Sequence, residues 1–143
     1  MKAARDLKLS QLADMPEKDV PECIEGTLQC QVPEELVAIG DLHVTSKKTM
    51  DCYLGTELDY LLQHVFKAET VVLTGINTDT CVYSTAFSTA NRGYKTVVIS
   101  DCTASMRGKD SYEMALELMS RSFAWVLTVD EFKDKISGYP PNS

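Results

Sequence analysis

Three short β-branched runs separated by helix-like stretches constrain this chain more than any other feature. They are TVVLTG (Thr70 to Gly75), TVVIS (Thr96 to Ser100) and AWVLT (Ala124 to Thr128). Compact apolar runs of this length suit strands of a parallel sheet, and TVVLTG reads as a strand buried on both faces. Between the first two runs, Val82, Ala86 and Ala90 recur at helical spacing and stop at Arg92-Gly93, a C-terminal signal. Tyr112, Leu116, Met119 and Phe123 mark a further helix before the third run. Leu58, Leu61, Leu62 and Val65 mark one before the first, behind Thr56 as N-cap. Val129 to Ile136 forms a closing helix, entered at Thr128 or Asp130. ELVAIGDLHVTS, from Glu35, reads as a strand pair or one strand interrupted at Gly40-Asp41. Such alternation specifies right-handed βαβ units. The expected fold is therefore α/β, a three-layer α/β/α arrangement with a mainly parallel, Rossmann-like sheet. Residues 1–34 read as an irregular N-terminal segment punctuated by Pro16, Pro21 and Pro33, with a short helix around Leu7 to Ala13. Residues 35–137 form the folded domain, and 138–143 a frayed tail.

Composition narrows the function. A chain of 143 residues suits one domain with a real core. A net charge of -7 without a basic run argues against binding nucleic acid. No stretch reaches the roughly 18 apolar residues of a membrane span, and MKAARDLKLSQ lacks the apolar run of a secretory signal. The expectation is a cytoplasmic chain. Five cysteines, none in a CxxC pair, and only His43 and His64 argue against a disulfide framework or a metal centre. No GxGxxG or P-loop pattern supports a nucleotide, so no cofactor is expected.

In parallel α/β folds the site lies at the carboxyl ends of the strands. That directs attention to Ser46 to Gly55, Gly75 to Cys81 and Asp101 to Lys109. GINTDTC follows a strand, opens a helix and places Cys81 in the first helical turn. Free N–H groups and the helix dipole there favour a thiolate and can hold an oxyanion. The plainer reading makes Cys81 a small buried residue, with Thr78, Asp79 and Thr80 as caps. Lys47 and Lys48 end the segment upstream. A cation beside a thiol favours the thiolate, but a lysine pair also suits a solvated surface. Cys52 and Cys102 read as structural, His64 as a residue on a helix's polar side, and His43 is open to either face.

The segments KKTMDCYLGTELDYLL, TVVLTGINTDTCVYSTAFSTANRGYKTVVISDCTASM and ALELMSRSFAWVLTVDEF together resemble the isochorismatase-like cysteine hydrolases. They are most similar to the branch with N-carbamoylsarcosine amidase and biuret-type amidohydrolases. The resemblance runs from about Glu25 to Ile136 and rests on Gly75-x-x-Thr78-x-x-Cys81 followed by a helix ending at Gly93-Tyr94. It implies that Cys81 attacks an amide or ureido carbonyl of a small molecule and forms a thioester that water hydrolyses. It implies Lys47 as the catalytic lysine, by its spacing to Tyr53, with Lys48 the near alternative. It implies a cis peptide at Ile76-Asn77, and an oxyanion hole from the N–H of Cys81 and an amide of the Asn77-Thr78 turn. Tyr53, Asn77, Thr78 and the Asp101 loop would line the substrate pocket.

The resemblance departs at the N-terminus. The family's third catalytic residue is an aspartate closing an apolar first strand in Asp-x-Gln. LADMPEKD offers Asp14, but without the apolar run or the Gln, and closer to Cys81 than the family spacing. The family's first strand lies beside the strand that here is Thr70 to Gly75. Its absence implies an N-terminally truncated domain: either Glu35 to Ser46 or another chain, as in a homo-oligomer, covers the open edge, or the sequence is a fragment of a longer parent. The expected activity is cysteine hydrolysis of a C–N bond. The alternative is an impaired paralogue acting as a subunit or interaction module. A non-covalent binding domain of the flavodoxin-like class is a third reading, weakened by the missing glycine loop.

Overall fold

The structure, a computed structural model, describes residues 27–28 and 31–138. The expected helix at Leu7 to Ala13, Asp14, and the residues beyond Gly138 lie outside them. The chain divides into two compact units, Met1–Leu42 and His43–Ser143.

In the first unit, Glu34–Leu36 makes a single 3₁₀ turn. A tight turn follows, with Asp41 N–H donating to the Ala38 carbonyl at 3.2 Å and the Asp41 carboxylate accepting from Ala38 N–H at 2.8 Å. Glu35 to Ser46 therefore forms no strand, contrary to the sequence reading. A short polar side chain competes with a sheet ladder for the same backbone donor, and Gly40 at φ 97° turns the chain away from extension.

The second unit is the α/β domain. Helix α1 begins at Leu58–Tyr60 and widens into a π turn over Leu61–Val65. Strand β1 spans Thr70–Ile76. A second π turn, Thr78–Val82, leads into α2, Tyr83–Asn91. Strand β2 spans Lys95–Ala104, α3 Lys109–Ser122, β3 Trp125–Leu127 and α4 Val129–Ser137. The three strands are parallel in the order β1-β2-β3, with Val72 opposite Val97 and Val98 opposite Val126. The α/β class and the parallel sheet expected from the alternating pattern are what the structure has.

The core forms where Val82 at the end of the second π turn, Ala86 of α2, Ala115 and Met119 of α3, and Ala124 close on Val98 of β2. Val97, Val98 and Ile99 are all buried. Successive strand residues point to opposite faces, so both faces of β2 are covered. β1 differs from its sequence reading: Leu73 packs on the core, but Val72 is 40% and Ile76 63% exposed. Among the described residues β1 pairs only with β2, so it is an edge strand with one covered face. Thr56 was expected to cap α1. Its hydroxyl does accept from Leu58 N–H, at 3.3 Å, although Glu57 is the capping position. α4 starts at Thr128 in a complete capping box with Glu131.

Met119 is 0% exposed at the centre of the core. Met119→Ala is expected to cost about 2–5 kcal/mol, read as a lower midpoint in urea denaturation. Thr128→Ala, which removes only the cap, is expected to cost about 1 kcal/mol.

Candidate active site

β1 ends at Ile76, and the Ile76-Asn77 peptide is cis, as the resemblance implies. Asn77 is extended at φ -90° and ψ 141°, and its carbonyl accepts from Thr80 N–H at 3.1 Å and Val82 N–H at 3.0 Å. One oxygen thus closes the wide turn that carries Cys81 into α2. Val82, anchored in the core beside it, fixes where that turn stands over the carboxyl end of β1.

Lys47 meets the thiol: its Nζ lies 3.8 Å from Cys81 Sγ. Lys47, rather than Lys48, is the lysine in contact. The loop that delivers it is fastened to α2 by hydroxyls that sequence reading did not single out. Thr85 accepts from Cys52 N–H at 3.3 Å and donates to the Met50 carbonyl at 3.4 Å. Ser88 donates to the Asp51 carboxylate, whose other oxygen accepts from Tyr53 N–H at 2.9 Å. Thr89 donates to the Thr85 carbonyl at 2.7 Å, so its 2.9 Å contact with Tyr53 is a bond donated by the phenol. Residues at i, i+3 and i+4 share one helix face, so Thr85, Ser88 and Thr89 form a hydroxyl stripe. The helical spacing was in the sequence, but nothing local said what the stripe would meet.

The stripe corrects the reading of Tyr53. The ring is 4% exposed, stacked on Tyr94 at 6.5 Å, with the Arg92 guanidinium 4.2 Å from its centroid. Burial pushes its phenol up to about 12, so it stays neutral and donates to Thr89. Its side chain belongs to the interior that holds the lysine loop, not to a pocket wall. Cys52 beside it is half-buried, and burial pushes its thiol up, consistent with a structural role.

The other expected pocket residues are also engaged. Asn77 Oδ1 accepts from Met106 N–H at 3.0 Å. Asp101 accepts from Val129 N–H at 3.0 Å, at the start of α4. Asp79 is held by both carboxylate oxygens, from Ser105 Oγ at 2.6 Å and Arg107 Nη1 at 3.1 Å. The Ser105 hydroxyl, with Arg107, holds Asp79 below the usual carboxylate range. A lowered folded-state pKa contributes stability above the unfolded value and loses it as pH falls through the folded one. The contact's contribution is therefore fully present from neutral pH down to about pH 4 and is lost below that. His64 and His43 are exposed, with His64 against the Tyr60 ring at 4.9 Å. Among the described residues no cluster of His, Cys, Asp or Glu could hold a metal, and no helix is long and apolar enough to cross a membrane. Two shallow hollows, around Lys95 and Trp125 and around Gln63 and Arg92, lie at the amino ends of the strands, away from Cys81.

Thr78 is 0% exposed, and its hydroxyl has no partner among the described residues. A buried hydroxyl without a partner costs about 1–3 kcal/mol. Thr78→Val keeps the shape and removes that group, so thermal unfolding is expected at an unchanged or higher temperature. A drop equivalent to about 1 kcal/mol or more would show that the hydroxyl is satisfied in solution.

Comparison with known proteins gives these features a context. The family model described as the Isochorismatase domain matches residues 7–131. An uncharacterized isochorismatase family protein of Bacillus subtilis, YrdC, is 31% identical over 109 residues, covering 68% of this chain and 58% of its own length. An isochorismatase-like hydrolase from Alkaliphilus metalliredigens superposes with a TM-score of 0.74 at 32% identity, over 80% of this chain and 62% of that one. N-carbamoylsarcosine amidase from Thermoplasma acidophilum superposes with a TM-score of 0.68 at 28% identity, over 78% and 62%. The chain thus spans little more than half the length of the Bacillus relative.

Proposed function

Because the chain belongs to the isochorismatase family, we propose that it hydrolyses a C–N bond of a small amide or ureido compound, with Cys81 as nucleophile and Lys47 as its partner. The observation that carries this reading is the 3.8 Å approach of Lys47 Nζ to Cys81 Sγ at the start of α2. A cationic neighbour favours the thiolate, the reactive form of cysteine. The similarity to N-carbamoylsarcosine amidase supports a C–N substrate.

The thiolate attacks the carbonyl carbon, and the oxygen takes the negative charge. The N–H of Cys81 and an amide of the Asn77-Thr78 turn hold that oxyanion. The tetrahedral species collapses, the C–N bond breaks, and the nitrogen leaves with the proton the thiol gave up. Water then adds to the thioester and releases the acid and the thiol. Asn77 and Thr78 serve the substrate through the backbone of their turn, because the Asn77 carbonyl oxygen of the side chain holds Met106 and the Thr78 side chain is buried.

Assay of nicotinamide, N-carbamoylsarcosine and biuret is expected to reveal turnover of at least one. Cys81→Ala is expected to abolish it, and Lys47→Met to lower kcat roughly 10²–10⁴-fold. Limiting iodoacetamide at neutral pH is expected to modify Cys81 before Cys102. Equal alkylation of the two cysteines, with no turnover in the panel, would overturn the enzymatic reading in favour of a non-catalytic subunit.

A further inference from the structure

The loop between β2 and α3 grips the turn that carries Cys81 at two points. Met106 N–H donates to Asn77 Oδ1 at 3.0 Å. Ser105 Oγ and Arg107 Nη1 take one oxygen each of Asp79, at 2.6 Å and 3.1 Å. The loop is itself braced, since Arg107 N–H donates to Ser105 Oγ at 3.1 Å. The Asp79 side chain is only 10% exposed, whereas Arg107 reaches it from a 64% exposed position. Ser105, Met106 and Arg107 then hand the chain to α3 at Gly108, whose φ is 95°.

Asp79 sets a physical problem for a nucleophile two residues away. A carboxylate shielded from water on the turn that carries a thiol opposes formation of the thiolate. Its charge is countered by a guanidinium and its oxygens are held in one direction, which removes both the opposing field and the freedom of the turn. Lys47 approaches the same thiol from the other loop. Among the described residues, Lys47 on the lysine loop meets the thiol, Asp79 stands on the thiol's own turn, and Arg107 on the β2–α3 loop pairs with Asp79.

We propose that Ser105 and Arg107 are positioning residues for Cys81, acting through Asp79: they fix the nucleophile turn and neutralise the carboxylate that would otherwise oppose the thiolate. This rests on the reading of Cys81 as the nucleophile. Ser105 orients the carboxylate and Arg107 supplies the compensating charge. Neither touches the reacting atoms.

The test measures the iodoacetamide rate of Cys81 and of Cys102 separately by peptide mapping at neutral pH, in the full chain. Arg107→Met is expected to slow Cys81 about tenfold while Cys102 is unchanged, and Arg107→Lys to retain most of the rate. Asp79→Asn, which keeps a group for Ser105 but removes the charge, is expected to restore Cys81 in the Arg107→Met background. A loss of packing alone would not be rescued in this way. With a turned-over substrate, Arg107→Met is expected to lower kcat with KM unchanged. A Cys81 rate within twofold of wild type in Arg107→Met overturns the proposal, as does absence of rescue by Asp79→Asn. The comparison of Cys81 with Cys102 in the wild type tests the nucleophile itself, so the two failures are distinguishable.

Discussion

The bonds between the hydroxyl stripe of α2 and the lysine loop are the contacts on which the arrangement depends. Thr85, Ser88 and Thr89 accept from and donate to residues 50–53. Each bond is worth only about 0.5–1.5 kcal/mol net. Their importance is geometric. The helix that follows the Cys81 turn also anchors the loop that carries Lys47, so the distance between the thiol and the lysine is set by that helix and its attachments. Arg92 and Tyr94 extend the anchor to α1: Arg92 Nε lies 3.5 Å from Asp59 Oδ2, and Tyr94 donates to Asp59 Oδ1 at 3.0 Å.

β2 has the complementary role. Buried on both faces, it carries Val98 in the core under α2 and α3 and then runs on to Ala104, delivering the Ser105 loop to the Cys81 turn. The core therefore determines more than stability. A strand that stays packed to Ile99 and emerges beyond it places a polar loop at the carboxyl end of its neighbour, where parallel α/β folds build sites.

Much of this was legible in the sequence. Most of Thr70–Ile76 and Tyr83–Asn91, and the Thr96 to Ser100 part of Lys95–Ala104, follow from β-branched runs and helical spacing, whereas the strand's extension through Asp101 to Ala104 was read as loop. The failures share a cause. Glu35 to Ser46 has strand composition, but the Asp41 carboxylate takes the Ala38 donor. Tyr53 stands near Lys47 and resembles a pocket residue, yet Thr89, Tyr94 and Arg92 bury it from about forty residues away. Asp79 looked like a cap, and only the folded chain brings Ser105 and Arg107 to it. Local pattern fixes elements, whereas the partner of a polar side chain depends on distant residues.

In the proposed role the lysine alone would be a weak activator. Two unit charges 4 Å apart interact by about 1 kcal/mol in bulk water and about 4 kcal/mol near a protein surface, and Lys47 is an exposed residue. An uncompensated carboxylate on the same turn as the thiol would offset part of such an attraction, and Arg107 pairs the carboxylate of Asp79. If Cys81 is the nucleophile, as proposed, its activation would draw on all three charges and on their fixed positions. The stripe on α2 holds the favourable one in place, and the Ser105–Arg107 loop contains the unfavourable one. On the proposed reading neither clamp would suffice alone, because a well-placed lysine beside a free carboxylate gains little, and a neutralised carboxylate beside a wandering lysine gains no more.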